Sequence, residues 1–217
     1  MRPNRIWLRG AAGLAAATLI ASTIAQSPAV AADSTGIVAV PGYSVSVFAR
    51  GTVAWTNPDA IVVAGDHVFI DYQNQSAKDG SNANPSTIVE YNSEGDVERN
   101  FSIPGHSDGL RVDPATGDLW ATVNEDAKPS LFVIDPSTGH ATQYSLAAPH
   151  GGGYDDLLFV DGRAILVASN PTLNGSGVNV FPALTAVTLN SNLTTNLTPI
   201  LSGNATATDL VTNSRSP

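Results

Sequence analysis

The stretch GHSDGLRVDPATGDLWATVNEDAKPSLFVIDPSTGHATQYSL, residues 105–146, decides the fold. It contains four short runs of strand-forming residues, and each run is separated from the next by a turn or a polar loop. Two of the turns, Asp113–Gly117 and Asp135–Gly139, share the sequence D-P-x-T-G, in which Pro presets φ and Gly supplies a positive φ. Four strands joined in this way form a small antiparallel sheet, which is the blade of a β-propeller.

The same arrangement recurs on both sides of this stretch. We predict blades at residues 57–103, 106–146 and 154–200. An aspartate stands just before the first strand of each blade, and the spacings between these aspartates, 49 and 47 residues, are typical of blade repeats: Asp59, Asp108, Asp155. The predicted fold class is therefore all-β, a propeller of four-stranded antiparallel blades. A β-solenoid, which needs shorter and more uniform coils, and a β-sandwich are the alternatives.

Partial strands are expected at both ends of the repeats. Tyr43–Phe48 alternates polar and apolar residues, which is typical of a half-buried strand, and Thr206–Val211 is similar to the start of a further repeat. Propellers have about 4 to 8 blades, so about three blades do not close a ring. We therefore expect residues 33–217 to be the front portion of a longer six-bladed protein, or a four-bladed ring completed by these strands.

The first 32 residues read as a signal peptide. Three arginines precede the apolar run Gly10–Thr23, and small residues precede position 33, where we expect cleavage. A retained membrane anchor is the alternative, although this run is short for a span of about 20 residues. The prediction is a secreted or periplasmic protein with no stable membrane insertion once the leader is removed.

The net charge of the chain restricts the classes of molecule that we expect it to bind. Removal of the leader takes away Arg2, Arg5 and Arg9, which leaves seven basic residues against 19 acidic ones and a net charge near −12. Such a charge argues against nucleic acid and anionic membranes as partners. It is compatible with an unknown small molecule or an extracytoplasmic protein as partner, and with cation binding. The chain has no cysteine, so its stability comes from burial in the sheets.

One face of the blades collects the candidate site residues. The strand starts and the long polar loops open on the same side, which marks that side as functional. Three converging carboxylates repel one another, and calcium or magnesium would relieve this repulsion, so we predict Asp59, Asp108 and Asp155 as metal ligands. Each aspartate capping its own turn is the alternative. The predicted ligand-binding residues are Asn124, Glu125, Asp126 and Asp156. The candidate catalytic residues or metal ligands are His106 and His150.

Three segments carry a resemblance to a known superfamily. PGYSVSVFA (residues 41–49), NPDAI (57–61) and DGLRVDPATGDLW (108–120) resemble secreted bacterial six-bladed propellers of the gluconolactonase/regucalcin-like and NHL-like superfamily. The resemblance covers residues 41–168 and implies the fold more than an activity. Gluconolactonase-like enzymes hold a divalent metal with Glu, Asn and Asp, and their Glu stands at a blade start. Here aspartates occupy those starts.

Three functional hypotheses follow. The first is a binding module that takes a ligand or partner on the loop-rich face without catalysis. The second is a metal-dependent, lactonase-like hydrolase or lyase. The third is a surface scaffold whose blades only present loops. The chain contains no G-x-S-x-G, no H-E-x-x-H and no cysteine nucleophile, so none of these familiar catalytic motifs favours an enzyme.

Overall fold

A computed structural model of the chain describes residues 37–147, 152–169 and 183–201. These residues form three four-stranded antiparallel sheets and no α-helix, so the all-β prediction is confirmed. Within the described ranges, no helix is long and apolar enough to span a bilayer. The predicted leader 1–32, the candidate His150 and the predicted strand 206–211 lie outside the described residues.

The strands follow one another along the chain in three groups of four. The first sheet contains β1 (Pro58–Ala64), β2 (His67–Tyr72), β3 (Ser86–Tyr91) and β4 (Val97–Ile103). The second sheet contains β5 (Ser107–Val112), β6 (Leu119–Val123), β7 (Ser130–Ile134) and β8 (Ala141–Ser145). The third sheet contains β9 (Tyr154–Val160), β10 (Arg163–Ala168), β11 (Leu184–Leu189) and β12 (Thr195–Leu201).

Each sheet is a simple meander in which consecutive strands pair. The first strands of the three sheets are neighbours, since β5 contacts β1 on one side and β9 on the other. Sheets arranged with their first strands together are compatible with propeller blades. The described residues form three such sheets, and closure of a ring is not seen among them.

The two D-P-x-T-G turns form as predicted. The N–H of Gly117 donates to the carbonyl of Asp113, the N–H of Gly139 donates to that of Asp135, and both bonds are 2.8 Å long. The glycines have φ values of 82° and 75°, in the region that favours glycine. These turns therefore fix the register of β5 with β6 and of β7 with β8 from local sequence alone.

Hydrophobic cores fill the spaces between neighbouring sheets. Phe69 and Ile88 of the first sheet share one core with Leu110 and Phe132 of the second. Trp120 of the second sheet shares another core with residues of the third, and its ring packs edge-to-face on Phe159 with centroids 5.2 Å apart. Trp120 is only 7% exposed, so packing of this residue between two sheets is confirmed.

The predicted strand Tyr43–Phe48 does not form, and this prediction was wrong. Residues 37–47 belong to a compact unit of their own, in which the N–H of Tyr43 donates to Val40 O across a turn and the Tyr43 side chain is 78% exposed. Alternation alone does not make a strand, because its backbone groups also need a partner. Each described sheet takes its four strands from residues after 57, and none of these strands pairs with 43–48.

Candidate functional site

The three blade-start aspartates occupy equivalent positions. Asp59, Asp108 and Asp155 are each the second residue of a first strand, in β1, β5 and β9 respectively. They lie inside the strands, whereas the sequence had suggested positions just before them. The ladder with the next strand is irregular at each aspartate, as at a β-bulge. A bulge turns a side chain away from its regular direction, which is a common device beside functional sites.

These three aspartates line one pocket of about 390 Å³. Asp156 and Arg111 complete its charged lining, and Ala60 and Ile61 of β1 supply apolar surface. The structure therefore brings together side chains that are separated by nearly fifty residues in sequence. Their use as metal ligands stays a prediction.

The carboxylates of the pocket are crowded and poorly neutralised. Burial raises the pKa of Asp59 and of Asp108, and burial together with the neighbouring Glu125 raises the pKa of Asp155 to about 6. Arg111 is the only basic residue in the described lining, and its guanidinium lies 2.5 Å from Asp156 Oδ2. Negative charge is thus in excess, and the pocket favours a positively charged occupant.

A further acidic side chain lies behind the pocket. Asp71 of β2 is fully buried, and neither of its oxygens makes a hydrogen bond of good geometry. Burial raises the pKa of Asp71 well above its ordinary value, although the hydroxyl of Ser107 lies near enough to lower it in part. The hydroxyl of Ser107 and Oδ2 of Asp108 are also buried without a hydrogen bond. Such orphaned polar groups are destabilising in a native protein and call for an explanation.

His106 lies between a loop and the pocket. Its Nδ1 is 2.8 Å from the carbonyl oxygen of Ser76, and its Nε2 is 3.2 Å from Asp108 Oδ1 without the geometry of a hydrogen bond. Burial lowers the pKa of His106, but Asp108, the carbonyl of Ser76 and Glu125 together outweigh burial, and the pKa is raised overall. Gln73 from the same loop donates to Asp108 Oδ1 at 3.1 Å.

Glu125 is buried beside this histidine. Its Oε1 accepts from the ammonium of Lys78, and its Oε2 accepts from the hydroxyl of Ser169 at 3.2 Å. Burial raises the pKa of Glu125, but the bonds from Lys78 and other donors outweigh burial and hold the pKa below its ordinary value. One ligand atom from each of His106, Asp108 and Glu125 lies within 4.8 Å of the others.

The remaining predicted ligand-binding residues divide into two kinds. Asp156 lines the pocket directly. Asn124 and Asp126 instead hold loops in place, since Asn124 Oδ1 accepts from the N–H of His106 at 3.0 Å and the N–H of Asp126 donates to the Lys78 carbonyl at 3.1 Å. Sequence analysis did not find Asp71, Lys78 or Arg111. The available signal for Asp71 was its spacing, since it stands two residues after Phe69 on the same face of β2.

Gly109 allows strands β5 and β9 to lie close together. A Cβ on Gly109 would lie 2.7 Å from the Cα of Asp156 and 2.7 Å from Thr122 Oγ1. Any side chain at this position would push β5 and β9 apart at the level of the pocket. Gly109 therefore helps to hold Asp108, Asp155 and Asp156 around one space.

Comparison of the chain with protein-family models and with curated proteins finds no match to either.

Proposed function

We propose that this chain is a secreted, propeller-type binding module whose acidic pocket takes a divalent cation, or a small molecule bearing a positive charge. The observation that carries the proposal is the convergence of Asp59, Asp108 and Asp155, from three separate sheets, on one pocket. Secretion rests on the leader-like residues 1–32, and membership of the gluconolactonase/regucalcin-like or NHL-like superfamily rests on the blade motifs.

The size and charge of the pocket suit such a ligand. Its volume, about 390 Å³, lies at the lower end of the range of roughly 300–1,000 Å³ for small-molecule sites. Calcium and magnesium prefer carboxylate oxygens, and an ion among these side chains would remove the repulsion between them. A small organic cation would do the same through charge-assisted hydrogen bonds to the same oxygens.

A metal-dependent hydrolase or lyase is the second candidate. One observation favours it, namely the imidazole of His106, a candidate general base, which lies 3.2 Å from Asp108, a residue that lines the pocket. This candidate requires a bound metal, so metal binding is the first property to test. The scaffold hypothesis requires neither metal nor pocket.

The test is thermal unfolding of the chain with EDTA, with millimolar calcium and with millimolar magnesium. Because a cation that binds only the folded state stabilises it, the melting temperature should rise with calcium or magnesium. The rise should be abolished in Asp155→Asn and in Asp108→Asn. The matched control is Asp113→Asn, which removes a carboxylate next to the other end of β5 and should keep the rise.

Two results would count against the proposal. Equal melting temperatures in all three solutions would exclude a cation that binds only the folded state, and with it the metal-dependent enzyme. A rise of the same size in Asp155→Asn and Asp108→Asn would place the ion elsewhere. A panel of small organic cations then tests the other half of the proposal, again with Asp155→Asn as the negative variant.

A further inference from the structure

His106, Asp108 and Glu125 form a compact, buried group at the inner edge of the acidic pocket. The three side chains are 4%, 7% and 4% exposed, and one ligand atom from each lies within 4.8 Å of the other two. Two of the atoms in this group, His106 Nε2 and Asp108 Oδ2, are buried and have no hydrogen-bond partner. Asp108 Oδ2 therefore has no donor among the described residues, and His106 Nε2 faces only Asp108 Oδ1, at 3.2 Å.

The surroundings of His106 fix which of its nitrogens faces the group. The Ser76 carbonyl oxygen, 2.8 Å from Nδ1, can only accept a hydrogen bond, so Nδ1 carries the hydrogen. This leaves Nε2 directed towards Asp108 Oδ1 at 3.2 Å. Histidines that bind metals are commonly held in this way, with one ring N–H donated to a backbone carbonyl and the other nitrogen turned to the ion.

Glu125, the third residue of the group, is paired with a lysine side chain. The ammonium of Lys78 bonds to Glu125 Oε1, while the Lys78 side chain is 61% exposed on its loop. A long, exposed side chain of this kind can leave the carboxylate without disturbing the core. Glu125 Oε2 stays oriented by the hydroxyl of Ser169.

We propose that His106 Nε2, Asp108 and Glu125 bind a transition-metal dication of the zinc class, with Lys78 occupying the position beside Glu125 in the metal-free protein. One imidazole with two carboxylates suits zinc better than calcium, which takes six to eight oxygen ligands. A zinc ion with three protein ligands also keeps an open position for water or substrate. The proposal deepens the proposed function at the same face and shares only Asp108 with the three blade-start aspartates.

A second group of similar composition serves as the internal control. His67, Glu90 and Glu98 also bring their ligand atoms within 4.8 Å of one another. Glu90, however, accepts two hydrogen bonds from Arg99, at 2.8 and 3.1 Å, so its charge is already neutralised. We therefore assign the ion to the His106 group.

The experiment is calorimetric titration of the chelator-treated chain with zinc chloride, and separately with calcium chloride, at neutral pH. We expect one zinc ion per chain. Glu125→Gln should weaken zinc binding by about tenfold or more, because it removes a charged ligand. His67→Gln should leave the affinity unchanged. Lys78→Met, an exposed substitution that does not endanger folding, should tighten zinc binding about two- to fivefold by removing the competing ion pair.

Several outcomes would overturn this assignment. They are absence of zinc binding in the wild type, loss of binding in His67→Gln but not in Glu125→Gln, an affinity in Lys78→Met that is unchanged or weaker, and calcium binding as tight as zinc at this group. The Asp59→Asn variant separates the two proposals, because Asp59 lines the acidic pocket, whereas Asp155 is hydrogen-bonded to Glu125 of the His106 group. It should abolish stabilisation by calcium in the acidic pocket and keep zinc binding, so either proposal can fail while the other stands.

Discussion

At the end of the blades that carries the D-P-x-T-G turns, Asp135 is fully satisfied by its own turn. It accepts hydrogen bonds from the hydroxyl and the N–H of Ser137, at 2.6 and 2.8 Å, and from the hydroxyl of Thr138 at 2.8 Å. At the end where the first strands begin, Asp71 is buried and accepts no hydrogen bond. The pKa of Asp135 is accordingly lowered to about 2 by its donors, whereas burial raises the pKa of Asp71 well above its ordinary value.

The difference separates acidic residues that stabilise the fold from acidic residues that strain it. A carboxylate with local donors favours the folded state at neutral pH, and a buried carboxylate without donors opposes it. Groups that destabilise a fold are commonly retained where a ligand needs them. The comparison therefore favours the strand-start end as the candidate functional end.

The largest effect is expected in the core that both ends share. Trp120→Ala should lower the free energy of unfolding by about 3–5 kcal/mol, because the buried indole fills the space between the second and third sheets. Urea denaturation measures this change. The loss should be the same with and without calcium, since Trp120 is not among the residues that line the acidic pocket. A loss below about 1 kcal/mol, the scale of surface substitutions, would contradict the packing described.

The second largest effect is a stabilisation, whereas most substitutions in a protein core are destabilising. Asp71→Asn should raise the free energy of unfolding at neutral pH by about 1–2 kcal/mol, because the Asp71 carboxyl must either be buried as an anion or take up a proton when the chain folds, and an amide does neither. Urea denaturation of Asp113→Asn, at the turn end, is the matched comparison and should show no gain. Destabilisation by Asp71→Asn would mean that the carboxylate has a favourable partner in the folded state. It would contradict the difference that we describe between the turn end and the strand-start end.

The raised pKa values at the strand-start end predict how the stability of the fold changes with pH. The raised pKa values of Asp155, Asp108 and His106 mean that the folded state binds protons more tightly than the unfolded chain. Stability should therefore fall over the interval around pH 6, where Asp155 titrates, and the urea midpoint should decrease as pH rises through it. Asp155→Asn should make this slope shallower. A midpoint that rises over the same interval would show that the carboxylates are neutralised in the fold.

The smallest effect is expected at the turn end. Asp135→Ala removes three hydrogen bonds from an exposed turn, so it should lower the melting temperature by less than Asp71→Asn raises it. The pKa of Asp135 is lowered, so its contribution is present above the ordinary value near 3.8 and is lost as pH falls through about 2. Melting curves of both proteins should therefore converge in strong acid. A difference that persists there would point to lost packing instead.

Local patterns predicted the blades well. The D-P-x-T-G turns and the alternating runs are local signals. A turn determines which two strands pair, and alternation determines which face of a strand is buried. The spacing of Asp59, Asp108 and Asp155 predicted their convergence, since equivalent positions of repeated blades meet at the same end. The prediction of a strand at Tyr43–Phe48 was wrong because pairing is not a local property. Its alternation was real, but pairing depends on a partner that no local pattern reveals.

The site was predicted only where it repeats. Asp71 stands in a strand that reads as ordinary, and its isolation depends on which donors the neighbouring sheet fails to supply. The pairing of Lys78 with Glu125 joins two loops that are far apart in sequence. Contacts of this kind arise from the packing of one blade against the next, so a single sequence does not display them.

The central claim is that carboxylates from different sheets crowd one pocket whose lining holds too few positive charges to neutralise them all, and Asp155 reports on it most directly. Its carboxyl ¹³C chemical shift, followed by NMR as a function of pH, should show a midpoint of about 6, and Glu125→Gln should move that midpoint back towards the ordinary value. A midpoint near 3.8 in the wild type, unchanged in Glu125→Gln, would show that the carboxylates do not meet and would contradict the account.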